Sequence, residues 1–460
     1  MARKRVIYQS EALFSSRTGL TGSSSTSGSF GGTRLDQMGF TQGPVQIHRV
    51  QSINYSFDVT RQDINQFGQL AAIDRQIIEQ PTVSLDFSYY CETGHNEEAI
   101  GLDVIRATGN FTDGLEFNTE GIAGTGAMSC ISGILKGSSR THNKNGGLES
   151  NSRTDLMTYF IQTYAEGDDA VGSTAGPKSV ISIGNGFLSS YSANGAVGDF
   201  VTADVSIEAL NMQFEQTTTN IIQDPTINEE NGKLQYGITG SLNSGQGAGN
   251  AGRINMPEAI NGHSATAGAF GVSDHTNTPK ALRHGDVKLV LADKALGHQL
   301  NGAEVNAQNF TFSFDLSRTN LERLGSRFAY AKEIDFPLSA SCDFNFIVGD
   351  VSGAAAGGAN NSQAEGVEAF LNQGYDTAAN LFVNCHGPAT GAYGTDNNAN
   401  LDGIGFGLLG GKLDSQGYSS SIGDNKTMDV SFSAQIAGPQ DTENGVVIYH
   451  VADGGADNTP

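Results

Sequence analysis

The sequence predicts a mainly β fold built from two homologous modules, and three observations predict it. The stretch Asn54–Gly68 returns as Thr311–Gly325, with Phe57 and Phe314 lying 257 residues apart. Ser, Phe, Asp, Arg and Gly are identical between the two stretches, and Tyr/Phe, Val/Leu and Thr/Ser are chemically alike. A second signature follows in the same order. Ala196-Val197-Gly198-Asp199 and Asp204–Ile207 recur as Ser421-Ile422-Gly423-Asp424 and Asp429–Phe432, at a spacing of 225 residues. Two signatures, each at its own constant spacing, mark an internal duplication. The third observation is composition. There are 60 Gly among 460 residues, with 24 Phe, 13 Tyr and no Trp. That mix suits aromatic strand faces joined by many turns.

Charge and cysteine usage exclude several classes. The chain has 26 Lys+Arg against 49 Asp+Glu, a net charge of −23. Binding to a DNA backbone by counterion release needs clustered cations, which this balance does not offer. Cys91, Cys130, Cys342 and Cys385 are widely spaced and form no C-x-x-C pair, so buried thiols are expected rather than a zinc or redox site. The start, Met1–Tyr8, is basic and lacks the apolar run of a signal peptide. No stretch reaches the roughly 18 apolar residues of a membrane helix, so a soluble product made in the cytoplasm is expected.

Taken in order, Val6-Ile7-Tyr8 reads as a short strand leading to Glu11-Ala12-Leu13, and Val287–Leu296 opens the second half in the same way. Ser15–Gly43 is a long Ser/Gly tract, read either as a surface loop or as an arm that orders against another subunit. Ile47–Thr60 is a strand region in which Ile53, Tyr55 and Phe57 alternate with polar residues. Arg61–Gly68 breaks that alternation and ends in a glycine turn. Ala71–Ile78 and Val83–Tyr89 follow, the second with Val83, Leu85, Phe87 and Tyr89 on one face and its copy at Ala340, Cys342, Phe344 and Phe346. A short helix is predicted at Glu97–Ile105, with Ala364–Leu371 as its counterpart. Its leading acids, Glu97 and Glu98, favour the helix dipole. Met157–Tyr164 and Leu381–Cys385 are matched strands, and Leu234–Ile238 is a weak one. The expected organisation is module 1 at 1–215, a Gly/Asn/Thr-rich connector or decoration at 216–284, module 2 at 285–445 and an acidic tail at 446–460. Module 2 is about 32 residues shorter between its signatures.

Catalytic chemistry is not encoded in any pattern of adequate specificity, and no enzyme activity, cofactor or metal is expected. The nine histidines form no H-x-x-x-H, and there is no G-x-S-x-G or G-x-x-x-x-G-K-[ST]. Gly247–Gly252 and Gly405–Gly410 match G-x-G-x-x-G, as glycine richness alone produces. His386 beside Cys385 would point to the opposite strand face. The charged constellation present twice is Phe-Asp-x-x-Arg: Phe57, Asp58 and Arg61, and Phe314, Asp315 and Arg318. A site seldom occurs twice in an enzyme, so a structural ion pair or subunit contact is expected there. Gly68, Gly325, Gly198, Asp199, Gly423 and Asp424 complete the repeated signature.

The stretches Asp63–Arg75, Pro81–Tyr89 and Leu188–Ser206 together resemble the tail tube proteins (major tail proteins) of long-tailed bacteriophages. The resemblance covers most of 45–215 and, more faintly, 285–445. It implies modules of β-sandwich or split-barrel type with a helix on the side, joined edge to edge into rings that stack into a tube. Family rings usually hold six modules, so two modules per chain imply a homotrimer with pseudo-sixfold symmetry. It further implies a virion tail location, assembly in the bacterial cytoplasm, contacts with terminator and baseplate or tip proteins, and double-stranded DNA passing through the lumen without specific binding. The duplication and the segments 15–43 and 216–284 depart from the family pattern, as does Glu322-Arg323-Leu324-Gly325 where the first copy has Asn65-Gln66-Phe67-Gly68. The alternative reading from another class is a secreted or virion-surface β-protein that binds or degrades glycans.

Overall fold

The computed structural model describes residues 11–17, 44–92, 94–102, 104–106, 130–131, 134, 157–164, 178–218, 221–228, 233–234, 253–256, 259, 281–282, 287–291, 307–325, 328–329, 331–347, 378–385, 403–420, 425–438, 441 and 444–451. Their regular secondary structure is nearly all strand. The first half contains β1 (Glu11–Arg17), β2 (Val45–Gln46), β3 (Val50–Asp58), β4 (Arg61–Ile64), β5 (Asp74–Ile77), β6 (Thr82–Tyr90), the helix α1 (His95–Ala99), β7 (Val104–Arg106), β8 (Met157–Thr163), β9 (Lys178–Ala196), β10 (Thr202–Ala209) and β11 (Asn211–Thr217). Four short strands follow: β12 (Ile221–Gln223), β13 (Ile227–Asn228), β14 (Lys233–Leu234) and β15 (Arg253–Asn255). The second half contains β16 (Val287–Leu291), β17 (Ala307–Asp315), β18 (Arg318–Leu321), β19 (Ala331–Ile334), β20 (Leu338–Ile347), β21 (Ala379–Cys385), β22 (Gly403–Ser419), β23 (Thr427–Ile436) and β24 (Gly445–Val451).

Period-two alternation explains the strands of the long sheet. In β6, Val83, Leu85, Phe87 and Tyr89 are buried while Thr82, Ser84, Asp86 and Ser88 face outward. The same alternation runs through β10, β17, β20 and β23. One face of each strand can therefore enter the core while the other stays hydrated. The strands lie side by side, all antiparallel, in the order β3-β6-β10-β9-β17-β20-β23-β22.

Two shorter sheets close over the buried side. One runs β1-β8-β9-β11 and the other β16-β21-β22-β24. The 19-residue β9 and the 17-residue β22 belong to both kinds of sheet. Their first halves pair in a short sheet and their second halves in the long one. The core between them is one contiguous cluster that includes residues of both halves. Described residues of 216–284 add a second cluster, in which Ile222, Ile254 and Met256 pack with Phe14 and Phe160.

The registers of the two halves coincide residue for residue. Tyr55 faces Leu85 and Phe57 faces Val83, while Phe312 faces Cys342 and Phe314 faces Ala340. These pairs obey the 257-residue spacing. Val205 faces Tyr191 and Asp204 faces Ser192, while Val430 faces Gln416 and Asp429 faces Gly417, at the 225-residue spacing. Both halves break register at the same places. One irregularity skips Gln51 in β3 and Gln308 in β17, and another skips Ser189 in β9 and Asp414 in β22. Bulges at matched positions re-aim the strand identically in each half.

The helix differs from expectation. α1 spans only His95–Ala99 and is stopped at Gly101, whose φ of 100° leaves the helical region. The expected end, Val104-Ile105, is instead part of β7, which pairs parallel to β24. The first described strand starts at Glu11, and β14 includes Leu234 of the expected Leu234–Ile238 strand, whose remaining residues lie outside the described residues. The expected features at Val6–Tyr8, Ala364–Leu371 and 446–460 beyond Val451 lie outside the described residues, as do 18–43 of the Ser/Gly tract. Among the described residues no helix is long and apolar enough to cross a membrane. All four cysteines are buried thiols.

Candidate assembly edges

The long sheet contains a junction between the two halves of the chain. Ser190–Ala196 of β9 pair with Asn309–Asp315 of β17. Phe314 lies opposite Tyr191 and stacks on it at 5.4 Å between ring centroids. Phe312 and Phe310 are covered by Phe406 of β22, at 5.4 and 6.4 Å. Gly195 faces Phe310, and a Cβ at that position would collide with the Phe310 ring. The backbone adds Leu316 N–H donating to Ser189 O at 2.7 Å and Val197 N–H donating to Gln308 O at 2.9 Å, one beyond each end of the ladder.

Side chains of the β18–β19 hairpin reach back over the first half. Lys332 Nζ donates to Glu208 Oε2 at 3.0 Å, with the lysine nearly buried and the glutamate half exposed. The Arg318 guanidinium lies over the Phe187 ring at 5.0 Å, and Lys332 Nζ lies over it at 5.2 Å. Ala329 N–H donates to Gln80 Oε1 at 3.0 Å. The short sheets are bridged as well, because β7 of the first half covers Ile448-Tyr449-His450 of β24.

The same strand set ends in two open edges. Among the described residues, β3 begins the long sheet and pairs on one side only, with β6. Among them too, the second half of β22 ends it and pairs only with β23. Burial changes accordingly. Phe57 is 43% exposed against 2% for its counterpart Phe314, and Tyr55 is 38% exposed against 0% for Phe312. Phe214 of β11 is 64% exposed against 0% for its counterpart Ile448. Tyr55 and Phe57 are bare where the internal junction covers their counterparts Phe312 and Phe314, and Phe214 is bare where β7 pairs beside its counterpart Ile448. Open, apolar edge strands attract further strands.

The outward face of the long sheet is polar and acidic. Asp58, Asp86, Asp204, Asp315, Asp343 and Asp429 alternate with the core residues, among serines, threonines and asparagines. Serine ladders tie this face together, with Ser52–Ser88 at 2.7 Å, Ser56–Ser84 at 2.8 Å and Ser313–Ser341 at 2.9 Å.

At the opposite side of the core, α1 is anchored through Glu97. Tyr89 and Tyr191 hydroxyls donate to Glu97 Oε1 at 2.8 and 3.0 Å. Burial pushes this carboxyl above the usual carboxylate range, while the two hydroxyls pull the other way. The acid expected to serve the helix dipole therefore serves the core.

The repeated signature residues fall into three places. Phe57 and Asp58 lie on the open edge strand, whereas Phe314 and Asp315 lie in the junction, with Asp315 opposite Ser190. Gly68, Gly325 and Gly198 take φ of 88°, 90° and 97° in turns, which accounts for glycine at each. Asp199 closes the β9–β10 turn, its N–H donating to Ala196 O at 3.1 Å. Gly423 and Asp424 lie outside the described residues.

The expected Asp-x-x-Arg ion pair does not form among the described residues. Arg318 lies against Phe187, and the ion pair of the first hairpin is Arg75 with Asp63 at 2.6 Å. After Asp58 and Asp315 the chain turns into a hairpin, which carries the arginine away from the aspartate. Lys332, Glu208 and Phe406 carry no sequence signal, because each acquires its role from a partner more than one element away. The Gly405–Gly410 match lies inside β22 rather than at a strand–turn–helix, and Gly247–Gly252 is outside the described residues. No group of His, Cys, Asp and Glu among the described residues is arranged to hold a metal.

No protein-family model matches the sequence, and no curated protein matches it. Among solved structures, the chain is similar to one from the tail of an empty GTA particle determined by helical refinement with C6 symmetry. The identity is 13% and the TM-score 0.21, over 34% of this chain and 98% of that one.

Proposed function

We propose that the protein is a structural rather than catalytic virion component that self-associates, through β3 and β22, into the rings of a phage-type tail tube. The observation that carries this reading is the internal junction. The chain joins a β9 edge to a β17 edge within itself and, among the described residues, leaves the outer edges of β22 and β3, their counterparts in register, open at the two ends of the long sheet. Edges that match head to tail generate a closed ring when the rotation closes and a filament when it does not. Ring closure removes both open edges. Two modules, at 1–215 and 285–445, make three copies equivalent to the six-module rings of the family the sequence resembles.

In such a ring the outward polar face of the long sheet lines the lumen. Its aspartates repel the phosphate backbone, so double-stranded DNA passes without adhering. Terminator and baseplate or tip proteins are then the partners at the tube ends, and the virion tail is the location. Negative-stain electron microscopy of the purified protein and of Phe57→Lys tests the reading. Rings or stacked rings are expected from the first and dispersed particles from the second. Compact single particles from the unaltered protein at every concentration contradict it.

A further inference from the structure

The equivalences between the halves were fixed by registers inside each half, independently of the junction. Carried onto the junction, they specify an alignment for the open edges. Inside the chain Thr311 faces Asn194, Phe312 faces Ala193, Ser313 faces Ser192, Phe314 faces Tyr191 and Asp315 faces Ser190. Moving β17 to β3 by 257 residues and β9 to β22 by 225 gives Asn54 opposite Ser419, Tyr55 opposite Tyr418, Ser56 opposite Gly417, Phe57 opposite Gln416 and Asp58 opposite Ser415. We propose that β22 of one copy pairs antiparallel with β3 of a second copy in this register, with Tyr55 set against Tyr418. The proposal rests on the ring reading above and adds the alignment to it.

Three observations bear on this register. Tyr55 and Tyr418 are both exposed large side chains in the free chain. Both also project to the core side of the sheet, since their neighbours Leu85 and Met428 are buried. Side-chain volume is conserved across the junction but moved by one pair. Inside the chain the bulky pair is Phe314–Tyr191 and the large–small pair is Phe312–Ala193. Between copies the bulky pair is Tyr55–Tyr418, and Phe57 meets the smaller Gln416. The outward face gains no opposed acids, because Asp58 meets Ser415 and Asn54 meets Ser419. A slip by one residue would turn every side chain to the wrong face.

The register also makes the intermolecular junction chemically unlike the internal one. Glu208, which holds Lys332, is replaced by Ser433, and Phe187, which lies under Arg318, is replaced by Lys412. Arg75, the counterpart of Lys332, is paired with Asp63 in its own hairpin. Arg61, the counterpart of Arg318, is carried toward Lys412. The internal junction thus seats two cations, Lys332 and Arg318, on first-half partners, whereas the intermolecular one sets two cations together. Assembly is made and unmade at the second kind of junction.

Cysteine pairs test the alignment. Directly opposed antiparallel residues have Cα atoms about 4.5–5.5 Å apart, within disulfide range. The native thiols are buried and do not compete. Tyr55→Cys with Tyr418→Cys should link into a closed ladder ending at one ring on mild oxidation, and Phe57→Cys with Tyr418→Cys should not. Each single variant is checked for rings under reducing conditions. Rings that link through the second pair, or through neither, overturn the register while leaving the ring reading in place. Absence of rings from the unaltered protein overturns both. As a second measurement, Lys412→Glu should lower the concentration needed for half-assembly several-fold at low salt. An unchanged or raised value also overturns the register.

Discussion

Phe314 stacks on Tyr191 across the β9–β17 junction, with ring planes 23° from parallel, while Phe57, its counterpart, has no such neighbour among the described residues and is 43% exposed. The two phenylalanines occupy one position of a repeated strand and differ only in what covers them. Phe314→Ala should therefore destabilise the unassembled chain by about 3–5 kcal/mol, the range for truncating a buried phenylalanine. Phe57→Ala should change it by less than about 0.5–1 kcal/mol. Chemical denaturation of dilute protein measures both, and equal losses would contradict the description of the edge.

Glu97 gives a pH-dependent prediction. Its folded pKa is raised above its unfolded value by burial. Between those two values the folded state binds more protons than the unfolded state, so this group's contribution to stability is present below the unfolded pKa and is lost as pH rises through the folded one. Glu97→Gln keeps an acceptor for Tyr89 and Tyr191 and removes the ionisation. The variant should gain stability relative to the unaltered protein as pH rises above about 4.3. A difference that stays flat between pH 4 and pH 8 would count against the buried carboxyl.

The Lys332–Glu208 pair holds a mostly buried ammonium against a half-exposed carboxylate. Glu208→Gln should cost about 1–2 kcal/mol, less than for a fully buried pair because solvent screens the glutamate. Lys332→Met with Glu208→Gln should recover most of that loss. A double-mutant cycle by denaturation checks it, and strict additivity would show that the contact contributes nothing.

The hairpin between β4 and β5 ends in Phe67 and Leu70, both fully exposed, and Leu324 tips the β18–β19 hairpin. Phe67→Ser with Leu70→Ser should leave the denaturation midpoint of the single chain within about 0.5 kcal/mol of its original value. Bare apolar tips of this kind suit a contact between stacked rings, so the same variant is expected to shorten tubes without abolishing rings. Tube lengths on electron micrographs measure this.

The strands of the long sheet were legible because alternation is local. Val83, Leu85, Phe87 and Tyr89 announce a buried face without any partner. The two spacings were legible too, and they reappear as matched registers and matched bulges. The long strands β9 and β22 were harder to read. Gly184-Asn185-Gly186 and Gly403–Gly411 are glycine-rich runs, a composition that carries no strand signal, yet they lie within β9 and β22. A Cβ at Gly186 would meet the Tyr159 ring at 2.8 Å and one at Gly407 would meet Phe382 at 2.7 Å, so glycine there admits a large neighbour. The junction itself was not legible, since pairing β9 with β17 joins residues more than a hundred positions apart and depends on tertiary placement. The helix ran short because Val104 and Ile105 satisfy an apolar stripe and a parallel strand equally well.

The central claim is that β22 of one copy completes β3 of the next until the ring closes. Image averages of assembled particles by electron cryomicroscopy test it most directly. Closed rings of three chains are expected, with sixfold features at low resolution, threefold differences at high resolution and one continuous sheet around the lumen. Assemblies in which β3 remains uncovered, or rings whose chain number is not three, would contradict it.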